Sequence, residues 1–295
     1  MIMKRLFSLF SAILLLLSLA GCAPTQDPAQ IAATTLPVYE FTTRLCQGTG
    51  LSVTRLVTEN VSCLHDYSLS VRQVKAVESA EVVILSGAGL EDFMEDTLSN
   101  AAYVIESADG IELLECSEHH DRSNQHEHDH DHDPHLWLSP LHAKQMAQNI
   151  CAGLKKNYPQ HTAAFDANLI SLLSDLDGLL TYGQQQLQNL SCRELITFHD
   201  GFSYFAEAFD LTILEAIEEE SGSEASAAEL KHLITLVNSH KLPAIFTERS
   251  GSVSAAGIIA AETAAQIYAL DMAMFGDSYF ESMKHNIDTV KEALG

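Results

Sequence analysis

The 295-residue sequence lacks the CxxC pair that would indicate a thiolate zinc knuckle. Basic residues are scarce: the chain has 16 Lys and Arg but 40 Asp and Glu, which gives a formal net charge of −24. Because phosphate binding needs a basic face, this charge excludes a nucleic acid partner.

No apolar run is long enough for a mature membrane-spanning helix, which needs about 20 residues. The mainly apolar stretch 6–19 follows Lys4 and Arg5, as in a secretory signal peptide. It leads into Leu-Ala-Gly-Cys, which resembles a bacterial lipobox and implies cleavage before Cys22 and a lipid on its sulfur. We therefore expect residues 1–21 to be a signal peptide. The alternative is an ordinary signal peptide that happens to end before a cysteine.

The mature protein is then expected outside the cytoplasm, on the outer face of the membrane, in a periplasm or at a cell surface. It would touch the membrane through its lipid only. Lipidation of Cys22 leaves an odd number of cysteines, so not all can pair within the chain. The five remaining cysteines are Cys46, Cys63, Cys116, Cys151 and Cys192. The sequence does not fix their pairing, and a disulfide between Cys46 and Cys63 is one of the possibilities.

Strand and helix patterns alternate twice along the chain, with a long helical pattern between them. This order predicts an α/β fold of two lobes with mainly parallel sheets, joined by one long helix. The predicted strands are 31–35, 52–57, 81–85, 194–198, 211–216, 244–247 and 267–270. The predicted divisions are a tether (22–30), a first lobe (31–157), a linking helix (158–190) and a second lobe (191–295).

The segment 117–133 contains no apolar residue and alternates histidine with acids. Such a composition cannot pack into a core and is typical of an exposed loop with weak metal sites. We expect it to collect or sense zinc, although a solvated spacer that binds metal incidentally is the alternative. Its candidate auxiliary ligands are His119, His120, His126, His128, His130 and His132.

Four further candidate ligands follow predicted strands or lie in loops at the lobe junction. Open α/β sheets bind ligands beyond the carboxyl ends of their strands, so this placement favours a common site. The four are His65, His135, His199 and Asp271.

The sequence around these residues resembles the solute-binding proteins of zinc and manganese ABC transporters, a family that includes lipoproteins first described as adhesins. The matching stretches are HDY at 65–67, AEVVILSGAGLEDFM at 80–94, DPHLWLSP at 133–140, ITFHDGFSYFAEAF at 196–209, AIFTE at 244–248 and the C-terminal HNIDTVKEAL. The resemblance covers nearly all of the mature chain.

The resemblance implies two α/β lobes, a rigid linking helix with small lobe movements, and one metal ion in the cleft. Its ligands would be His65 and His135 from the first lobe and His199 and Asp271 from the second. Three imidazoles and a carboxylate suit tetrahedral Zn²⁺, whereas Mn²⁺ prefers more oxygen ligands. The implied protein is a monomer that captures Zn²⁺ and delivers it to a membrane permease. Alternatives are a Mn²⁺-binding member, or a surface adhesin or zinc chaperone without a transport role.

The sequence departs from the family after Asp271, where Met272-Ala273-Met274 replaces an Asp-Pro-Leu type of continuation. Glu248 and Asp277 are therefore alternatives to Asp271 as the carboxylate ligand. Asp66 and Asp200, which adjoin two of the histidines, are the predicted partners that orient the imidazoles. An enzyme is not expected, because four protein ligands close the coordination position that a catalytic zinc keeps open.

Overall fold

The computed structural model describes residues 29–59, 64, 67–115, 132–218, 225–249 and 253–295. The predicted signal peptide, Cys22, His65, Asp66 and the histidine-rich segment up to residue 131 lie outside the described residues. Among the described cysteines, Cys46, Cys151 and Cys192 are free thiols. Burial raises the pKa of the Cys46 thiol to about 12, so this side chain stays a buried apolar group.

The first lobe is built on a four-stranded sheet in which every neighbouring pair is parallel. Its strand order is β2-β1-β3-β4. The strands are β1 (Ile31–Ala33), β2 (Val53–Arg55), β3 (Val82–Leu85) and β4 (Val104–Glu106). The helices are α1 (Leu36–Leu45), α2 (Val71–Ser79), α3 (Glu95–Leu98) and α4 (Pro140–Asn157), with a short 3₁₀ helix at Asp92–Met94.

The second lobe repeats this plan with a parallel sheet in the order β6-β5-β7-β8. Its strands are β5 (Glu194–His199), β6 (Thr212–Glu218), β7 (Ala244–Glu248) and β8 (Gln266–Leu270). The helix between the lobes is α5 (Thr162–Leu187), and those of the second lobe are α6 (Ser203–Ala208), α7 (Ala227–His240), α8 (Ser254–Glu262) and α9 (Tyr279–Leu294). The predicted two-lobed α/β fold is confirmed, and β4 is a strand that the predicted strands do not include.

Helix α5 is 26 residues long and therefore spans about 39 Å at 1.5 Å per residue. Its apolar stripe packs against α1 and α4 of the first lobe and against α9 of the second. The stripe skips one position at Gly183, where an added Cβ would lie 2.2 Å from the ring of Phe209. The glycine thus admits an aromatic ring of the second lobe against the linking helix.

The two lobes also contact each other directly, because hydrogen bonds cross between them beside the linking helix. The indole Nε1 of Trp137 donates to the Met272 carbonyl at 2.7 Å, and the Tyr279 hydroxyl donates to the Trp137 carbonyl at 2.7 Å. The Tyr279 amide donates to the Glu40 carboxylate at 2.6 Å. Trp137 and Tyr279 are fully buried, so the two hydrogen bonds of Trp137 lie inside the interface.

Within the described ranges, none of the helices is long and apolar enough to cross a membrane.

Candidate metal centre

Three neighbouring strands of the second sheet end at polar residues of the candidate site. Strand β5 ends at His199, β7 at Glu248, and Asp271 directly follows the end of β8. The strands are adjacent in the order β5-β7-β8 and run parallel, so their carboxyl ends share one edge of the sheet. This edge is where an open α/β sheet binds its ligand.

The first lobe supplies His135 from a short, tightly wound segment. Asp133 and Pro134 precede it, a 3₁₀ helix at Leu136–Leu138 follows, and Pro140 opens helix α4. The three side chains of the 3₁₀ helix are fully buried, which fixes the backbone next to the histidine. The sequence DPHLWLSP thus holds the backbone of His135, and with it the position of one imidazole, in place.

The two imidazoles meet at the lobe junction. The Nε2 atom of His135 lies 3.3 Å from the Nε2 atom of His199, and the ring centroids are 5.0 Å apart with the planes at 85°. Both residues are buried, with exposed fractions of 6% and 8%. One ring from each lobe therefore directs the same nitrogen at the same point.

A carboxylate stands behind each imidazole. The Asp133 Oδ1 atom lies 2.8 Å from His135 Nδ1 and also accepts from the His135 amide at 2.9 Å. The Glu248 Oε1 atom lies 3.0 Å from His199 Nδ1. Such carboxylates favour a proton on Nδ1, which leaves the Nε2 lone pair for a cation. Two facing lone pairs at this distance repel each other unless a proton or a cation lies between them.

Gly201 provides the space in which the rings meet. A Cβ at this position would lie 2.6 Å from Cδ2 of His199, 2.9 Å from Nδ1 of His135 and 2.8 Å from Cε of Met272. No side chain fits there without moving an imidazole. The same distances place the Met272 methyl group beside the histidine pair.

Asp271 is held by groups of its own lobe. Its Oδ1 atom accepts from the Ala273 amide at 2.8 Å, and its Oδ2 atom accepts from Arg249 Nη1 at 3.1 Å and from the Ser282 hydroxyl at 3.2 Å. Its backbone is fixed by Asn286, which exchanges two hydrogen bonds with it. Three hydrogen bonds thus hold the carboxylate against groups of its own lobe.

Of the four predicted principal ligands, the structure brings His135 and His199 together. His65 lies outside the described residues, although its neighbour Leu64 is buried in the first lobe. Of the predicted auxiliary histidines, only His132 is described; it is exposed, and its backbone forms an isolated antiparallel β-bridge with that of Glu115. Across the described parts of the chain, no group of three or more His, Cys, Asp or Glu side chains is arranged to hold a metal ion.

Four contributions to the site were not predicted from the sequence. Asp133 and Glu248 contact the imidazoles, although the orienting role was assigned to Asp66 and Asp200 and Glu248 was considered only as a competing ligand. Gly201 and Arg249 are not among the predicted site residues. The spacing Asp-Pro-His gave a usable signal for Asp133, because an acid two residues before a ligand can reach its Nδ1. No local pattern identifies Gly201, since its role depends on rings from both lobes.

Two parallel α/β lobes with an imidazole from each at their junction define a two-lobed solute-binding protein. Residues 31–293 match the family described as ZnuA, the periplasmic component A of a zinc-uptake complex, and the chain belongs to this family.

Similar proteins agree with this assignment. The high-affinity zinc uptake system protein ZnuA of Bacillus subtilis (strain 168) is 28% identical, over 94% of this chain and 91% of that protein. A crystal structure of ZnuA superimposes with a TM-score of 0.79 at 31% identity, over 90% of this chain and all of that one. A zinc-bound deletion mutant of ZnuA gives a TM-score of 0.76 at 29% identity, over 90% and 98% of the two chains. The resemblance predicted from the sequence motifs is confirmed.

Proposed function

We propose that this chain is the extracytoplasmic solute-binding component of a zinc ABC transporter. It captures Zn²⁺ between its lobes and delivers the ion to the membrane permease. The observation that carries the proposal is the 3.3 Å separation of His135 Nε2 and His199 Nε2. Two nitrogens bound at 2.0–2.1 Å to one tetrahedral zinc ion are about 3.3–3.4 Å apart. The imidazole pair is therefore spaced to share one zinc ion.

The donor chemistry favours zinc over manganese. Imidazole nitrogens suit Zn²⁺, whereas Mn²⁺ favours carboxylates, carbonyls and water. The membership of the zinc-uptake family supports the same choice. The orienting carboxylates Asp133 and Glu248 raise the basicity of the two rings and so strengthen their bonds to a cation.

The complete ligand set that we propose is His65, His135, His199 and Asp271. His65 follows the buried Leu64 in the first lobe, and Asp271 lies at the same sheet edge as His199. Four protein ligands would leave no open position for a substrate water, so the protein binds and releases its cargo without covalent chemistry.

The remaining parts of the proposal concern the setting of the protein. It acts as a monomer, anchored to the outer face of the cytoplasmic membrane by a lipid on Cys22. The histidine-rich segment 117–133 collects zinc at weaker sites and raises its local concentration near the cleft.

A competitive titration tests this function. The chain from residue 23 onward, with residues 117–132 deleted, is titrated with Zn²⁺ and with Mn²⁺ against a chelator of known affinity. We expect one tight zinc site and weaker manganese binding. His199→Ala should remove the tight site, and His232→Ala is the matched control, because His232 is an exposed histidine of the same lobe that pairs with Glu215 at 2.8 Å.

The results separate the parts of the proposal. Tight manganese with weak zinc would keep the cleft but overturn the choice of metal. A tight zinc site that survives His199→Ala would place the ion elsewhere. The absence of any tight site would overturn the function itself.

A further inference from the structure

Arg249 occupies a defined place next to the predicted ligand Asp271. Strands β7 and β8 pair in register up to Glu248 and Leu270, and the Arg249 amide then donates to the Leu270 carbonyl at 2.9 Å. This last ladder bond puts Arg249 and Asp271 side by side just beyond the sheet. The Arg249 Nη1 atom donates to Asp271 Oδ2 at 3.1 Å.

Glu248 ends β7 and Arg249 directly follows it, and the two neighbours contact two different residues of the site. Glu248 contacts the imidazole of His199, and Arg249 contacts the carboxylate of Asp271. In the described parts of the chain, Asp271 does not join His135 and His199 in a three-ligand cluster. Its carboxylate instead accepts a hydrogen bond from Arg249, a residue of the same lobe.

We propose that Arg249 sets the zinc affinity of the cleft by competing with the bound cation for Asp271. This inference rests on the proposed function, because it takes Zn²⁺ as the cargo and Asp271 as a ligand. It assigns to Arg249 the role of an internal counter-ion: the guanidinium neutralises Asp271 in the zinc-free protein and yields the carboxylate when zinc arrives.

The electrostatics of the pair suit a reversible exchange. The Arg249 side chain is 59% exposed and that of Asp271 is 19% exposed, so the guanidinium can turn into solvent while the carboxylate stays in place. An ion pair of this exposure is weak, and a divalent ion can displace it. A positive charge near the site also repels Zn²⁺, which favours release as well as limiting affinity. Both properties suit a protein that must hand its ion on.

The first test is Arg249→Gln in the purified full chain, held in detergent micelles and titrated with Zn²⁺ against a chelator. We expect zinc to bind roughly three- to fivefold more tightly than in the wild type at low ionic strength. Zinc release to excess chelator should slow by a similar factor. The difference should shrink in about 1 M salt, where charges are screened within about 3 Å.

Two controls isolate the pair. Arg249→Lys keeps the charge and should stay near the wild-type affinity. Arg72→Gln removes an exposed arginine on α2 of the other lobe and should leave the affinity unchanged. These variants separate a local ion pair from a general change in the net charge of the chain.

A double-mutant cycle with Asp271→Asn completes the test. If Arg249 acts through Asp271, Arg249→Gln should have no effect on zinc affinity in the Asp271→Asn background. An unchanged or weaker affinity in the single variant would overturn the inference, as would an equal gain in both backgrounds. Asp271→Asn with wild-type affinity would also overturn it, while leaving zinc capture by the histidines intact. Only a wild-type chain without a tight zinc site would overturn the proposed function as well.

Discussion

The Nε2 atoms of His135 and His199 lie 3.3 Å apart although the two residues are 64 positions apart in the chain and belong to different lobes. Each ring is held from behind by a carboxylate of its own lobe, and the meeting of the rings depends on how the lobes dock. The site is therefore a property of the lobe interface, and changes that alter this interface should alter zinc binding.

Gly201→Ala should weaken zinc binding strongly without unfolding the protein. The added methyl group would lie within 2.9 Å of both imidazoles, so at least one ring must leave its place. We expect a loss of affinity of at least about tenfold, since one misplaced ligand costs on the order of 1.4 kcal/mol or more. Chelator competition measures the affinity and circular dichroism measures the thermal unfolding.

The matched control is Gly178→Ala, because an added Cβ at this exposed position of α5 meets nothing within 4 Å. It should leave the affinity unchanged and stabilise the helix by up to about 1 kcal/mol. Wild-type zinc affinity in Gly201→Ala would contradict the inference that the two imidazoles share one ion.

Asp133→Asn and Glu248→Gln should each lower zinc affinity by roughly 10- to 100-fold, because each removes the charge that orients an imidazole and strengthens its bond to the metal. The Asn side chain still offers an oxygen to the His135 amide, so the loop should keep its fold. Isothermal titration against a competing chelator gives the affinity. Glu215→Gln removes a comparable acid from an exposed histidine pair at His232 and should have no effect. Equal losses in all three variants would indicate a nonspecific charge effect.

The fold could be predicted because its signals are local. Apolar strands such as Val82–Leu85 and the spaced leucines of α5 are recorded in short windows of sequence. The predicted strands do not include β4 (Val104–Glu106), in which Ile105 is the one buried side chain. Helix α4 begins at Pro140, directly after the 3₁₀ helix at Leu136–Leu138, so no loop marks its start in the sequence.

The candidate site could be predicted only in part. His135 and His199 were identifiable because each follows a marked local pattern: a proline-flanked turn and a strand end. The partners of these residues come from other segments, since Glu248 reaches His199 across neighbouring strands and Gly201 accommodates a ring of the opposite lobe. Such contacts depend on strand order and lobe docking, which cannot be predicted from short stretches of a single sequence.

Glu91 makes the stability of the first lobe depend on pH. Its buried carboxylate accepts hydrogen bonds from the Thr34 hydroxyl at 2.6 Å, the Ser86 amide at 2.8 Å and the Gly87 amide at 2.9 Å. Burial raises its pKa above the usual 4.5, and these hydrogen bonds only partly oppose the shift. The folded protein thus binds this proton more readily than the unfolded chain does.

The contribution of Glu91 to the free energy of unfolding should therefore be largest below about pH 4.5 and decrease as the pH rises towards the raised pKa. Glu91→Gln lacks this titration, so the wild type should lose stability relative to the variant across that interval. Urea unfolding of both proteins at several pH values measures the difference. A wild type that gains stability relative to the variant as the pH rises would contradict the assigned shift.

The contacts around Trp137 predict that zinc binding moves the lobes little. Its indole is bonded to the Met272 carbonyl, its own carbonyl accepts from Tyr279, and its ring lies 5.4 Å from that of His135. X-ray scattering curves with and without zinc should therefore superimpose. Trp137 is the only tryptophan in the chain, so its fluorescence should still change on zinc addition and saturate at the tight site.

Tyr279→Phe tests the same interface by removing one hydroxyl. The Trp137 carbonyl loses its donor inside a buried contact, which should cost about 1–3 kcal/mol of stability. Because the lobes are then less firmly docked, the variant should bind zinc more weakly and show a larger change in scattering on zinc addition. A large closure in the wild type would contradict the rigid docking. An unchanged zinc affinity in Tyr279→Phe would mean that the other contacts between the lobes are enough to set the distance between the two imidazoles.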